Sequence, residues 1–183
     1  MQSKRFEIDG PVVFTPKRHG DDRGFFSEVF RQDVVDAALG AQTFVQDNHS
    51  FSARRGTLRG LHYQSPPAAQ GKLLRVARGA VFDVAVDIRK ASPTYGRYVG
   101  LELSAANGEL FWIPPGFLHG FCTLTDGTDF LYKVTHYYSH PNDGAVIWND
   151  PDIGITWPLP TEDIMLSSKD AQAPRLRDLP PIF

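Results

Sequence analysis

Gly56-Thr57-Leu58-Arg59-Gly60-Leu61-His62-Tyr63-Gln64, followed by Lys72 and Gly79, decides how this chain reads. From Lys72 to Arg78 the residues suit a strand, Gly79 marks a turn, and Ala80 to Ile88 makes a second strand. That second strand sets Phe82, Val84, Val86 and Ile88 on one face and Asp83 and Asp87 on the other, the period of two that a pleated backbone imposes. Leu110-Phe111-Trp112-Ile113 and Gly120-Phe121-Cys122-Thr123-Leu124 flank Pro114-Pro115-Gly116 as another strand-turn-strand unit. Asp129 to Tyr138 reads as one strand, with Phe130, Tyr132, Val134, His136 and Tyr138 sharing a face. Only Gln32 to Leu39 carries a convincing helical pattern, and Gly40 terminates it. Many short strands with Gly and Pro punctuation predict an all-β-dominated antiparallel sandwich or barrel with a few short helices, not a βαβ fold.

The 183 residues fit one domain, 1–183, with enough chain to bury a substantial core. The tail from Asp150, rich in proline (Pro151, Pro158, Pro160, Pro174, Pro180, Pro181), is expected to wrap the barrel irregularly. Nineteen basic residues against 21 acidic ones give a net charge of -2, which implies neither a nucleic acid nor a membrane surface as partner. The single cysteine, Cys122, lies in an apolar run and can form no internal disulfide, which favours a reducing compartment. Met1-Gln2-Ser3-Lys4-Arg5 is not followed by an apolar leader, and no run approaches membrane-spanning length. A cytoplasmic location is expected.

The opening stretch, with Gly108, Pro114, Gly116 and His119, resembles the two motifs of a cupin jelly-roll barrel. In a metal-binding cupin the first motif supplies two histidines and a glutamate, and the second supplies one more histidine. Here His62 and His119 occupy two of those places, Gln64 replaces the other histidine, and Lys72 replaces the glutamate. An ammonium has three donors and no lone pair, so it cannot ligate a cation and repels one nearby. The expected site is therefore metal-free: two imidazoles and a fixed cation, suited to a substrate that is or becomes negative.

Further residues have the right chemistry, though each has a plainer structural reading. Imidazole titrates near ~6.5, which suits His62 as a general base at neutral pH. The turn before His119 is expected to set its ring at the barrel mouth. Tyr132 and Tyr138 share strand parity and both could face the cavity, whereas Tyr137 reads as a core aromatic with its hydroxyl at the surface. Asp170, in Ser167-Ser168-Lys169-Asp170, could fix the tautomer of His62, although such an Asp is more often a cap. Arg23 and Arg59 offer planar donors for phosphate, and Glu28, Gln46 and Asn48 could read a base or sugar edge. No Gly-rich phosphate loop or nucleophile elbow is present.

Asp22-Arg23-Gly24-Phe25-Phe26, Gln46-Asp47-Asn48-His49-Ser50, Leu58 to Gln64, Gly71-Lys72-Leu73, Phe82 to Arg89, Trp112-Ile113-Pro114, His119-Gly120-Phe121 and Leu131-Tyr132-Lys133 together resemble the dTDP-4-dehydrorhamnose 3,5-epimerase family. The resemblance spans nearly the whole chain. It implies a homodimeric, cofactor-free cupin that converts dTDP-4-dehydro-6-deoxy-D-glucose to dTDP-4-dehydro-L-rhamnose. It makes His62 the base, oriented by Asp170, Tyr132 the acid on the opposite face, and Lys72 the enolate's counter-charge. Arg23, Glu28, Gln46, Asp47, Asn48, Arg59, His119, Asp143 and Lys169 fall at substrate-contacting positions, and Tyr138 at an aromatic that stacks on thymine. The family also implies that the partner subunit completes the nucleotide site, so Arg23 and Glu28 are expected to act across the dimer. Asp143 stands where a Glu is expected.

The chemistry is consistent with these residues. C3 and C5 both flank the C4 ketone, so removing either proton places charge on one oxygen, where a fixed ammonium favours the transition state over the ground state. Three other readings stay open on the sequence: an epimerase of one carbon only, a non-catalytic nucleotide-sugar-binding cupin, and a metal-dependent cupin, the last disfavoured by Gln64 and Lys72.

Overall fold

The chain passes back and forth between two antiparallel sheets, which is what brings its distant motifs together. The computed structural model describes residues 1–183. Its elements are β1 (Gln2–Arg5), β2 (Val12–Thr15), β3 (Arg18–Asp21), β4 (Gly24–Ser27), α1 (Gln32–Leu39), β5 (Gln46–Ser52), β6 (Leu58–Gln64), β7 (Lys72–Arg78) and β8 (Ala80–Asp87). They continue through β9 (Tyr98–Ser104), β10 (Leu110–Ile113), β11 (Phe117–Thr123), β12 (Thr128–Val134), β13 (Asp143–Ala145) and α2 (Ser168–Ala171). One sheet has the order β1-β2-β10-β7-β12-β5 and the other β13-β6-β11-β8-β9, while β3 and β4 form a separate hairpin. This is the two-sheet arrangement of a jelly roll.

The inner faces meet in a core to which both sheets contribute: Leu74, Val76, Phe111, Ile113 and Phe130 from one, Val81, Ala85, Leu103, Phe117 and Phe121 from the other. Each outer face is also covered. Val35 of α1 packs on Val12, Phe14, Leu73, Leu110 and Trp112. The tail residues Ile153 and Leu176 pack on Leu61, Val84, Val86 and Leu118. The apolar row Phe82, Val84, Val86 and Ile88 therefore lies under the tail, with Phe82 only partly buried there. The acidic row looks the other way, so Asp83 shares the inward face of β8 with Val81 and Ala85.

Two strand boundaries differ from the sequence reading. The strand expected over 129–138 ends at Val134, because Val134 pairs with Gln46, where β5 begins, and with Lys72, where β7 begins. Beyond it there is no ladder to join. The strand expected from Gly120 instead starts at Phe117 and all seven of its residues are buried. His119 is consequently inside the barrel, not at its mouth.

Candidate active site

His62 stands on β6 directly opposite His119 on β11. Gly60 makes that pairing possible: its φ is +126°, and a Cβ there would lie 2.6 Å from the Gly120 Cα and 2.8 Å from the His119 carbonyl oxygen. The segment after Ile164 then crosses the barrel opening. The Met165 N–H donates to the Gly56 carbonyl at 2.8 Å, and the Leu58 N–H donates to the Met165 carbonyl at 2.9 Å. Gly56 tolerates this approach with φ +82°, whereas a Cβ would sit 2.0 Å from the Asp163 carbonyl oxygen. The short helix α2 follows, and Ser167 caps it by accepting the Asp170 N–H at 3.1 Å.

The docked helix presents Asp170 to His62, with 2.6 Å between Oδ1 and Nε2. The His62 side chain is 32% exposed and that of Asp170 only 5%. Burial alone would raise the Asp170 carboxyl. The bond from His62, the charge that ring carries once protonated, and donors from Ser167 and the Gly60 backbone outweigh it and hold the group below the usual carboxylate range. An ionised carboxylate only accepts, so Nε2 carries the proton and Nδ1 keeps a lone pair.

His62, Lys72, His119, Tyr132, Arg59, Lys169 and Asp170 all line one cavity of about 750 Å³. An adjoining recess of about 160 Å³ shares His62, Lys72 and Tyr132 and adds Gln46, Asn48, Tyr138 and Asp143. Lys72 points inward with Leu74 and Val76 and makes no ion pair or hydrogen bond through its ammonium. Burial lowers its pKa to about 8, against the opposing charges of Asp83 and Asp143. Burial also raises the Tyr132 hydroxyl above its ordinary value, which Arg59 only partly offsets, so the phenol keeps its proton at neutral pH. His119 Nε2 lies 3.1 Å from Asp83 Oδ2. Burial pushes both toward their uncharged forms, and each holds the other back.

The second ring of residues is already hydrogen-bonded. The Gln46 side chain donates to Asn48 at 2.9 Å and accepts the Tyr138 N–H at 3.0 Å. The Tyr138 hydroxyl donates to Asp143 at 3.3 Å, and Lys169 pairs with the same carboxylate. Tyr138 lies outside the strand that gave it a shared parity with Tyr132, yet it lines the recess while the residue stays 56% exposed. Tyr137, expected in the core with only its hydroxyl at the surface, is instead 64% exposed. Gln64 is tied to the backbone: it donates to the carbonyls of Ala68 and Tyr137 and accepts the Ser139 N–H.

Three sequence candidates fall outside the cavity. Asp47 is on the outward face of β5, opposite Lys133 in register and 2.9 Å from its ammonium. Arg23 sits on the turn of the β3–β4 hairpin, its side chain 90% exposed and paired with Asp21. Glu28, just after that hairpin, lines a separate small recess with Met1, Lys17, His19 and Arg31. Conversely, Asp83 was not among the candidates, although an acid inside an apolar strand was a visible signal.

The family model described as dTDP-4-dehydrorhamnose 3,5-epimerase matches residues 5–178. The chain belongs to the dTDP-4-dehydrorhamnose 3,5-epimerase family. It is 51% identical over 179 residues to a dTDP-4-dehydrorhamnose 3,5-epimerase of Shigella flexneri, covering 97% of each chain. A Salmonella typhimurium epimerase of the same description is 54% identical over 170 residues, 92% of each. The crystal structure of a Legionella pneumophila dTDP-6-deoxy-D-glucose-3,5-epimerase in complex with dTDP-4-keto-L-rhamnose superposes with a TM-score of 0.92, at 47% identity over 98% of this chain and 95% of that one. Within this epimerase family fold, no group of three or more His, Cys, Asp or Glu is arranged to hold a metal ion, and no helix is long and apolar enough to cross a membrane.

Proposed function

We propose that this protein is an isomerase that inverts C3 and C5 of dTDP-4-dehydro-6-deoxy-D-glucose, giving dTDP-4-dehydro-L-rhamnose without a cofactor. The observation that carries the reading is the pairing, in one cavity, of a carboxylate-backed imidazole with a lysine ammonium that has no protein partner. Family membership supplies the substrate, and the cavity supplies the chemistry.

His62 takes a proton from the carbon beside the ketone through its Nδ1 lone pair, becoming an imidazolium that Asp170 stabilises. The electron pair left behind moves onto the C4 oxygen, where the Lys72 ammonium meets the developing charge. Tyr132 then gives its phenolic proton to the opposite face of the same carbon, which completes the inversion; the His62 imidazolium releases the abstracted proton to solvent and the Tyr132 phenolate takes one up, which restores both groups. The step repeats at the other carbon. Arg59 and Lys169 serve the diphosphate, His119, Gln46, Asn48 and Asp143 contact the sugar and nucleoside, and Tyr138 stacks on thymine.

The chain works as a homodimer in which Arg23 and Glu28 complete the partner's nucleotide site. Supporting this, the hairpin that carries Arg23 leaves Phe25 and Phe26 63% and 68% exposed, a surface that a second subunit would cover. NMR of the product made from dTDP-4-dehydro-6-deoxy-D-glucose tests the reading. Inversion at both carbons is expected; inversion at one carbon would make this a mono-epimerase, and unchanged substrate would leave only binding.

A further inference from the structure

Asp83 Oδ1 is the one buried side-chain polar atom in the protein without a hydrogen-bond partner. Its residue is fully buried, on the inward face of β8, and its other oxygen is 3.1 Å from His119 Nε2. A lone carboxylate oxygen in such a place costs stability unless charge nearby compensates it. Lys72 is placed to compensate it: Asp83 and Lys72 point into the barrel from opposite sheets, His119 binds Asp83 and lines the cavity with Lys72, and neither Oδ1 nor the ammonium has a direct partner. The other ionisable groups facing this ammonium are Asp143 of β13, His119 of β11, His62 of β6 and Tyr132 of β12. Asp143 is already bound by Lys169 and Tyr138, so Asp83 is the less committed of the two acids.

We propose that Asp83 is a positioning residue that keeps Lys72 in its ammonium form beside the substrate oxygen, and so sets the upper pH limit of epimerisation. The proposal rests on reading the cavity as an epimerase site. Asp83 never touches the substrate; its negative charge acts through the lysine. The sign follows from Coulomb's law: removing an anion near an ammonium destabilises the charged form, so Lys72 loses its proton at lower pH. The enolate then meets a neutral amine, and turnover falls in a range where the native enzyme still works.

The test is Asp83→Asn, which keeps the volume and an oxygen to accept from His119. Two readouts are taken on the full-length protein: the pH profile of kcat, and the titration of the Lys72 side chain by heteronuclear NMR. The alkaline limb should move down by about one pH unit or more, a roughly tenfold loss of turnover at pH 8 relative to pH 6. The Lys72 titration should move the same way, and that does not depend on which reaction the protein catalyses. A Lys72 titration unchanged in the variant overturns the role of Asp83 even if epimerase activity is present. Absence of epimerisation by the native protein would instead overturn the functional reading and leave the NMR result to decide on Asp83. Should the variant fail to fold, the native protein carries the same test: the Asp83 carboxyl carbon must report a step as Lys72 titrates, and a flat response overturns the coupling.

Discussion

His62 and Asp170 are separated by 108 residues in the chain and by 2.6 Å in space. Neither residue arranges this alone. His62 is held by the β6–β11 ladder, while Asp170 arrives on a short helix seated by the Met165 backbone against Gly56 and Leu58. The pair fixes the tautomer that leaves Nδ1 free, and the low carboxyl pKa keeps Asp170 ionised throughout the neutral range.

Asp170→Asn should therefore impair turnover more than binding. An amide can accept from Nε2–H, but it does not stabilise the imidazolium that proton abstraction creates. We expect kcat to fall by about 10²-fold or more, within the range for general acid–base catalysis, with KM changed only a few-fold. Steady-state kinetics on the folded variant check this.

Lys72→Gln should lower kcat by roughly 10²–10³-fold, the size of effect seen when one preorganised donor to a developing oxyanion is removed. KM should change far less, because the contact strengthens as charge develops. The same residue gives a pH signature. Its pKa is lowered to about 8, so the ammonium is present below that value and is lost as pH rises through it. Turnover of the native enzyme should decline above pH 8, and a kcat profile flat to pH 10 would remove Lys72 from this role.

Asp87 makes a stability prediction away from the site. Its buried carboxylate accepts from Arg89, Ser92 and Thr94 at 2.6–2.9 Å. Burial alone would raise its pKa, yet these bonds outweigh burial and pull it to about 2. A depressed carboxylate stabilises the fold above its unfolded value near 3.8 and ceases to do so as pH falls through 2. Asp87→Asn should cost about 2 kcal/mol at pH 7, the stability that a carboxyl held at about 2 against 3.8 in the unfolded chain contributes. The loss should shrink between pH 4 and pH 2, as measured by urea unfolding across that range.

Much of the fold was legible in the sequence because short strands and their turns are local features. Gly79, Gly40 and the apolar alternation of 80–88 fixed two strands and a helix end without reference to the rest of the chain. What alternation could not say is which face of a strand looks inward. In β8 both faces are buried, so the apolar row went under the tail and the acidic row into the barrel. That is why Asp83 was missed. Similarly, the end of β12 depends on where β5 and β7 begin, which is information from 60 to 90 residues earlier in the chain. The site residues were legible mainly through the family resemblance. Asp47 shows the limit of that route, since its side chain faces away from the cavity to pair with Lys133.

Arg23 tests the subunit arrangement. If it completes the partner's nucleotide site, the native protein should sediment at twice its 20.4 kDa chain mass. Arg23→Ala should then raise KM about tenfold with kcat little changed, the pattern for a contact made equally in ground and transition states. A monomeric species with full activity would contradict the arrangement.

The most direct measurement is deuterium uptake during turnover in heavy water, resolved by NMR at C3 and C5. If His62 is the single base for both inversions, the native protein incorporates solvent deuterium at both carbons and His62→Ala at neither. Exchange at either carbon that persists in the folded alanine variant would show another base at work and contradict the mechanism.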